Sequence, residues 1–205
     1  MADKRFKRID LSPFLRFQKN ISRLVNFKKL DRIKRIVCVD VGYKENLAVG
    51  VAVLYDLEKK DITNVYFEKN IVAYPYIPGF LFLREAPVVL SVLKKIREKY
   101  ELIIIDGHGL AHPRKSGLAT VIGVITKKPT IGIAKKFLYG KIRDNFIYVG
   151  GRKVGLKVGK YYVSIGSNID FSSLIRFLKI IDFEYPKAMK IADKLSKYLA
   201  KKLKA

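Results

Sequence analysis

Residues 36–55 read IVCVDVGYKENLAVGVAVLY, and the first two strands of the predicted fold lie in this stretch. Its two apolar, Val-rich runs, 36–41 and 47–55, are typical of neighbouring antiparallel strands joined by a short turn that contains Gly42. A third β-prone run over 65–73 predicts a further strand beside them. The first part of the chain is therefore expected to form three antiparallel strands.

The next segments predict alternating helices and buried strands. Apolar positions at helical spacing indicate a helix over 80–99, with an early kink or a late start at Pro87. The runs 102–105 and 130–134 are continuously apolar, which is typical of strands buried on both faces. Between them a proline in the first turn favours a helix over about 113–125.

The last third of the chain predicts a hairpin and two helices. Glycines interrupt β-prone runs over 148–165, as in a hairpin or small meander. Asp170 can cap a helix over 171–181, and a final amphipathic helix starts at Pro186. The order of elements predicts an α/β fold: a ribonuclease H-like mixed sheet flanked by helices, with an added β-hairpin and C-terminal helices.

The charge balance points to a polyanionic partner. The chain has 42 Lys and Arg against 18 Asp and Glu, a formal net charge of +24. A nucleic-acid backbone is the commonest partner for such a surface. The alternative is a heat-adapted surface, but that usually adds Glu together with Lys. We expect one domain over 1–205, in which 1–35 form a basic helical flank that holds nucleic acid.

Cysteine content and hydropathy exclude several classes of protein. Cys38 is the only cysteine and lies in an apolar run, which excludes a disulfide framework and a cysteine-based zinc site. No apolar run is long enough to cross a membrane, and the N-terminus does not resemble a signal peptide. We therefore expect a soluble, cytoplasmic protein and a monomer.

Two aspartates at strand ends are the first candidates for chemistry. Asp40 ends the first strand and Asp106 ends the first strand after a helix, so in such a sheet their carboxylates would converge. Buried acids need a cation or a basic partner. Mg²⁺ prefers oxygen ligands, Mn²⁺ is expected to substitute, and such ions serve phosphodiester cleavage. The alternative is that both aspartates only cap turns.

Glu85 and a histidine-containing loop add further candidates. Glu85 lies early in its helix, where a Glu alone would usually complement the helix dipole. The segment 106–114 contains both histidines of the chain, His108 and His112. His112 is the better candidate for an acid, a base or a phosphate contact, although a loop histidine bonded to a carbonyl is the commoner case.

Several motifs together closely resemble the endonuclease V family over 36–140, in order and in spacing. The motifs are DVGY at 40–43, PYIPGF at 75–80 with Arg84 and Glu85, DGHG at 106–109 with AHPR at 111–114, and PTIGIAK at 129–135. So many long motifs in one order make the resemblance specific.

The resemblance implies a DNA repair endonuclease that recognises deoxyinosine. Such an enzyme hydrolyses the second phosphodiester bond on the 3′ side of the lesion and leaves a 3′-hydroxyl and a 5′-phosphate. Carried over by motif, Asp40, Glu85 and Asp106 would bind Mg²⁺, while Lys135 and His112 would assist at the cleaved phosphate.

The resemblance also implies a strand-separating wedge and a base pocket. The wedge would consist of Pro75, Tyr76, Ile77 and Pro78. The pocket would map to Gly79, Leu81, Gly109 and Gly117, whose exposed backbone amides would read hypoxanthine. Taking a base out of the stack costs a few kcal/mol, and stacking on an aromatic ring returns about 1–3 kcal/mol per base. An ordinary loop with a buried Tyr76 is the alternative.

One departure concerns the last helix, where the family often places a histidine at the metal site. Asp193 occupies that place, and ribonuclease H-like nucleases commonly draw a fourth acid from a late helix. Asp193 is therefore a candidate metal ligand. Pairing with Lys190 or Lys197 on the same helix is an equal alternative.

Two other functions stay open at the level of sequence. The substrate could be inosine-containing RNA, since some relatives act there. The chain could also be a non-catalytic nucleic-acid binding protein that has kept the scaffold, although the intact Asp40, Glu85 and Asp106 argue against this.

Overall fold

The computed structural model describes residues 9–203, and within this range it contains a nine-stranded sheet flanked by helices. The strands lie in the order β3-β2-β1-β4-β5-β9-β8-β7-β6. The strands are β1 Arg35–Lys44, β2 Leu47–Asp56, β3 Asp61–Ile71, β4 Leu102–Asp106, β5 Thr130–Ala134, β6 Lys141–Arg143, β7 Phe146–Val149, β8 Arg152–Val158 and β9 Tyr161–Ile165. The helices are α1 Ser12–Arg23, α2 Leu81–Leu93, α3 Leu118–Thr126, α4 Phe171–Ile180 and α5 Lys187–Lys201.

The centre of the sheet is parallel and its flanks are antiparallel. β4 pairs parallel with β1 and with β5, and the other neighbours pair antiparallel. Parallel neighbours need a crossover connection, which α2 and α3 provide. Because helices cover both faces, the Ile-rich strands β4 and β5 are buried almost throughout. The predicted α/β fold with a mixed sheet is confirmed.

Alternation along β1 assigns its residues to two separate core layers. Val37 and Val39 pack with residues of α2 and α3. Ile36 and Cys38 face the other side and pack with residues of α4 and α5. Cys38 is a buried free thiol, as predicted for a small core residue. Asp40 continues the second alternation, which directs its side chain towards α5.

Gly42 lies inside β1 and not in a turn, so this part of the prediction is wrong. The turn between β1 and β2 lies at residues 45–46. A Cβ at Gly42 would lie 2.1 Å from the backbone oxygen of Ser196 in α5. Gly42 is therefore needed for the close approach of α5 to β1, which carries α5 over the carboxyl-terminal half of this strand.

Several other boundaries differ from the prediction. α2 starts six residues before Pro87, so the late start is wrong and Pro87 lies inside the helix. α3 starts at Leu118 and not at Pro113, because extended Gly117 ends a loop whose glycines pack against backbone. β3 also begins earlier, at Asp61.

The C-terminal third forms a larger β-structure than a hairpin. β6, β7, β8 and β9 make a four-stranded antiparallel meander that extends the sheet beyond β5. The Asp170 side chain accepts a hydrogen bond of 2.7 Å from the Ser173 N–H, which confirms the predicted cap of α4. α5 follows Pro186 as predicted.

The predicted basic flank over 1–35 contains α1 and the connection to β1, and its first eight residues lie outside the described range. Within residues 9–203, no helix combines the length and the hydropathy that a membrane crossing requires. The assignment of 1–205 to one domain stays a prediction.

Candidate functional site

Three aspartates from three elements form an acidic site. Asp40 lies on β1, Asp106 is the last residue of β4, and Asp193 lies on α5. Each offers a carboxylate oxygen, and these oxygens all lie within 4.8 Å of one another. β1 and β4 are parallel neighbours paired at Val39 and Ile105, so the residues that follow converge at one edge. This confirms the predicted convergence of Asp40 and Asp106 and adds Asp193 to it.

The charges of neighbouring carboxylates raise the affinity of Asp40 and Asp106 for protons. Burial raises the pKa of Asp40 to about 6, a hydrogen bond from the Ser196 hydroxyl opposes that rise, and the charges of Asp106 and Asp193 add to it. Burial also raises the pKa of Asp106, against the attraction of Lys135. Mutual repulsion at this distance is relieved by a proton or by a cation.

Lys135 is the cation that the chain itself supplies. Its Nζ donates a hydrogen bond of 2.9 Å to Asp193 and lies 3.6 Å from an Asp106 oxygen. Lys197 pairs with the second oxygen of Asp193 at 2.6 Å, one turn along α5. Although burial would raise the pKa of Asp193, these two lysines lower it. Asp193 thus forms the ion pair with Lys197 that the alternative predicts, and it also lies in the acidic site.

Glu85 lies next to the acidic site but outside the group of three. It sits on α2, partly buried, where the Tyr43 hydroxyl faces its carboxyl group. Burial raises the pKa of Glu85 to about 8, and the charges of Asp40 and Asp106 contribute. The Arg84 guanidinium stacks on the Tyr43 ring at 4.1 Å from its centroid, and its charge opposes the rise in the pKa of Glu85 without cancelling it.

The donor set of the acidic site suits a hard divalent cation. All of its groups are carboxylates, and their crowding is unfavourable until a positive charge lies between them. Asp106 and Asp193 keep 24% and 21% of their side-chain surface exposed, which leaves room for water and substrate. Mg²⁺ binds in this way, through a few carboxylates with the remaining positions open.

A cavity of about 250 Å³ lies beside the acidic site. We call it the base pocket, after the pocket that the sequence resemblance implies. It is lined by Gln18, Tyr76, Gly79, Leu81, Phe82, His108, His112, Ser116, Gly117, Leu118, Lys136, Phe137 and Leu138. Leu81 and Leu118, the first residues of α2 and α3, both line it, so the N-terminal ends of two helices border the pocket. The Ala119 N–H in the first turn of α3 is already bonded to the His108 carbonyl at 3.0 Å.

The carbonyl oxygen of Gly79 collects three hydrogen bonds and holds one wall of the pocket. The donors are Gln18 Nε2 at 3.0 Å, His112 Nε2 at 3.1 Å and an Arg114 Nη at 2.6 Å. Gln18 also donates to the Ser116 carbonyl at 3.1 Å and accepts from Arg114 Nε. We call Gly79, Gln18, His112 and Arg114 the Gly79 hub.

His112 is a neutral member of this hub. Its Nδ1 accepts from the Arg114 N–H at 3.2 Å and its Nε2 donates to Gly79, which fixes one tautomer. Burial and the charge of Arg114 lower the pKa of His112 to about 4. The alternative interpretation of His112, as a loop histidine bonded to a backbone carbonyl, is thus observed. Within the described residues His112 has no hydrogen bond to the acidic site, and its predicted role at the phosphate stays a prediction.

The structure brings only some of the predicted pocket residues together. Tyr76, Gly79, Leu81 and Gly117 line the pocket, and Tyr76 stands 63% exposed at its rim, so it is not the buried loop Tyr of the alternative. Pro75, Ile77 and Pro78 belong to the same loop but do not line it.

The prediction that the backbone amides of Gly109 and Gly117 are exposed is wrong. The Gly109 N–H donates to Ser164 Oγ at 2.9 Å, and the Gly117 N–H donates to the Gly109 carbonyl at 3.2 Å. A Cβ at Gly109 would lie 2.1 Å from the Ile165 oxygen. Both glycines therefore allow close packing of backbone, and Gly109 is absent from the pocket wall.

Gln18 is a pocket residue that the sequence did not reveal. Its side chain is fully buried although it lies on the basic, exposed helix α1. It is the only glutamine of the chain and carries no motif. The one available signal was a lone uncharged polar residue on the apolar side of an otherwise basic helix.

Comparison with known proteins identifies similar chains over nearly the whole length. The family model described as Endonuclease V matches residues 16–194. The endonuclease V of Sulfolobus acidocaldarius is 48% identical over 188 residues, which cover 89% of this chain and 92% of that protein. The structure of endonuclease V from Streptomyces avermitilis is 29% identical, with a TM-score of 0.83 and 93% of each chain covered. That of Ciona intestinalis endonuclease V, in complex with a 24mer DNA containing an inosine followed by a ribo-adenosine, is 20% identical, with a TM-score of 0.80 and coverages of 95% and 99%.

Proposed function

The chain belongs to the endonuclease V family, and from this premise we propose that it is a metal-dependent DNA repair nuclease specific for deoxyinosine. Membership of the family makes it a nuclease. We propose further that it hydrolyses the second phosphodiester bond on the 3′ side of the lesion. The Ciona intestinalis protein was solved with inosine-containing DNA, which supports the choice of base.

The observation that carries this proposal is the shared construction of the acidic site and the base pocket. Three short segments each place one residue at or beside the acidic site and another in the pocket wall. The pairs are Glu85 and Leu81, Asp106 and His108, and Lys135 and Lys136. Neighbouring Cα atoms are about 3.8 Å apart, so a base held in the pocket lies close to the acids. Such a nuclease cuts near the base that it captures.

The acidic site would hold the metal through Asp40, Asp106 and Asp193, with Glu85 beside them. A bound divalent cation supplies activation of water and stabilisation of the leaving oxygen. In the reaction a water oxygen forms a bond to phosphorus and the bond between phosphorus and the 3′-oxygen breaks. The water gives up a proton and the 3′-oxygen gains one, which leaves a 3′-hydroxyl and a 5′-phosphate.

Lys135 has a second role once a metal ion is bound by the carboxylates. Its ammonium group now bridges Asp193 and Asp106, and it is half exposed. When those acids are neutralised, the ammonium group is free to contact the phosphate at the cut. This agrees with the role that the sequence motif implies.

The pocket favours a carbonyl over an amino group at the base edge. Deamination of adenine replaces an amino donor by a carbonyl acceptor. Helix N-termini present N–H donors, which suit the carbonyl of hypoxanthine and not the amino group of adenine. The Gly79 carbonyl already accepts three bonds, so it cannot readily bind the adenine amino group. The pocket is therefore rich in donors, and Tyr76 at its rim can stack where the base was removed.

The test is a cleavage assay on a labelled duplex that carries one deoxyinosine. With Mg²⁺ we expect one nick, one nucleotide beyond the lesion, that EDTA abolishes. Undamaged DNA should stay intact. Asp40→Asn should lose cleavage, while Asp61→Asn, the same change at an exposed site on β3, should keep it.

The other outcomes decide between the remaining functions. Cleavage only of an oligonucleotide with inosine in RNA would keep the mechanism and change the substrate. Tight binding without cleavage at any metal concentration would contradict catalysis and favour a binding protein. Equal cleavage of damaged and undamaged DNA would contradict the role of the base pocket.

A further inference from the structure

A basic hollow lies on the meander that extends the sheet, outside the base pocket and the acidic site. Its volume is about 560 Å³, and its wall includes Tyr139, Gly140, Lys141, Arg143, Tyr148 and Gly150. A second hollow of about 310 Å³ shares Val149 and Gly150 with it and adds Phe27, Lys115 and Arg152. We call the two together the meander cradle.

The cradle presents four cations and no acid in its wall. The cations are Lys115, Lys141, Arg143 and Arg152, all exposed. None of them forms an ion pair with any residue in 9–203. Gly150 allows Lys115 to approach the backbone, since a Cβ at Gly150 would lie 2.9 Å from Lys115 Nζ. Unpaired cations around a concave surface attract a phosphate chain.

Aromatic rings lie among these cations. Tyr139 is 44% exposed, and Tyr148 on β7 is half-buried. Tyr148 lies opposite Lys141 of β6 and opposite Lys153 of β8 in the sheet register. Sites for single-stranded nucleic acid combine a positive groove with aromatic rings on which bases stack. The cradle has both features.

The cradle continues directly from the base pocket at two points of the chain. Lys115 of the cradle precedes Ser116 of the pocket, and Tyr139 of the cradle follows Leu138 of the pocket. The two sites thus adjoin at residues 115–116 and 138–139, so a strand whose base occupies the pocket lies near the cradle.

We propose that the meander cradle binds the unpaired part of the substrate strand next to the captured base, with its cations on phosphates and Tyr148 under a base. This site deepens the proposed function and rests on it for the identity of the substrate. Its partner is a single-stranded segment of nucleic acid, opened beside the lesion.

The first test compares the salt dependence of binding in EDTA, where the strand stays intact. The double variant Lys141→Ala with Arg143→Ala is measured on a labelled single-stranded oligonucleotide that carries deoxyinosine. Two lost phosphate contacts should reduce the slope of log K against log salt by about 1.4. The matched control is Lys59→Ala with Lys69→Ala, two exposed lysines, one in the turn before the opposite edge strand β3 and one on β3 itself. It should change the slope little.

The second test removes the stacking ring. Tyr148→Ala should weaken binding of the single strand by about fivefold or more, and Tyr148→Phe should restore it, because stacking needs the ring and not the hydroxyl. Melting curves check that both variants are folded. Equal effects of the alanine and phenylalanine variants would contradict stacking.

The outcomes separate this proposal from the proposed function. Equal slopes for the cradle variant and the control variant would overturn it. A reduced slope on intact duplex alone would overturn the single-strand assignment. If the wild-type protein does not cut deoxyinosine DNA but the cradle variant still lowers the slope on single strands, the cradle stands and the substrate assignment fails.

Discussion

The acidic site and the Gly79 hub share chain segments, but they are stabilised in opposite ways. In the acidic site Asp40, Asp106 and Asp193 repel one another and depend on added positive charge. In the hub the side chains of Gln18 and His112 use their hydrogen-bonding groups on neighbouring backbone and on Arg114. The acidic site needs a bound cation to balance its charges, whereas the hydrogen bonds of the hub are complete before any ligand binds.

The acidic site is therefore the region that reacts with a substrate, and the hub is the region that maintains the structure. A crowded set of carboxylates costs stability in the metal-free protein and gains function when a cation binds. A saturated hub contributes stability and keeps the pocket wall fixed, so that little ordering remains to be done on binding. Substitutions in the two regions should therefore separate activity from stability.

The largest expected effect is the loss of activity in Asp106→Asn. Cleavage should fall by about 10³-fold or more, as when a group that stabilises transition-state charge is removed. The metal-free protein should melt at the same or a higher temperature, because the change removes repulsion with Asp40 and Asp193. Single-turnover rates with Mg²⁺ and melting curves in EDTA measure the two effects. A clear loss of metal-free stability would show that Asp106 supports the fold, and the comparison would fail.

The second prediction concerns pH and Glu85. The pKa of Glu85 rises from 4.5 to about 8 in the folded protein, and that of Asp40 rises from 3.8 to about 6. The folded state thus holds these protons more tightly than the unfolded state. Metal-free stability should therefore fall as pH rises from about 4.5 to about 8, by an amount on the order of a few kcal/mol.

Three comparisons sharpen the pH prediction. Glu85→Gln should flatten the slope of metal-free stability against pH, while Glu68→Gln, the same change on β3, should leave that slope unchanged. His112 acts in the opposite direction and in a more acidic window, since its pKa is lowered to about 4 and stability is lost as pH falls below about 6.5. Saturating Mg²⁺ should remove the loss at high pH. A Glu85→Gln profile parallel to that of the wild type would contradict the role of Glu85.

The sequence predicted the acidic site better than the hub, for a physical reason. Asp40 and Asp106 are visible in the sequence because a carboxylate beside an apolar run is costly to bury, and strand order then brings the two together. For Asp193 the sequence supports two interpretations equally, because helical acids usually pair with lysines, as Asp193 does here with Lys197.

The hub and the glycines could not be predicted in the same way. Gln18 meets Gly79 across 61 residues of chain, through bonds to carbonyls that any residue could supply. Gly42 indicated a turn because local propensity favours turns, but its close contact with Ser196 depends on where α5 packs. Local patterns thus predicted the elements, and tertiary contacts decided their ends.

The third prediction tests the hub through Gln18→Ala. The change leaves Gly79 with one donor fewer and removes the partners of Ser116 and Arg114, so stability should fall by about 2 kcal/mol. Asn20→Ala on the exposed side of the same helix is the control and should change little. Cleavage at saturating Mg²⁺ should fall far less than in Asp106→Asn. A larger loss of rate than of stability would contradict a purely positioning role.

The smallest expected effect belongs to Tyr185, whose hydroxyl is buried without a partner among the described residues. Its ring stacks on Tyr161, and burial together with the charge of Asp106 raises its pKa. Tyr185→Phe should leave the metal-free protein equally stable or more stable by up to about 1 kcal/mol, because an unpaired buried hydroxyl costs free energy. The control is Tyr66→Phe, which loses a hydroxyl bonded to Glu98 at 2.6 Å and should be slightly destabilised. Melting in EDTA compares the two variants. If Tyr185→Phe is the less stable of them, the Tyr185 hydroxyl has a hydrogen-bond partner. Polar groups near the acidic site would then be satisfied, as they are in the hub.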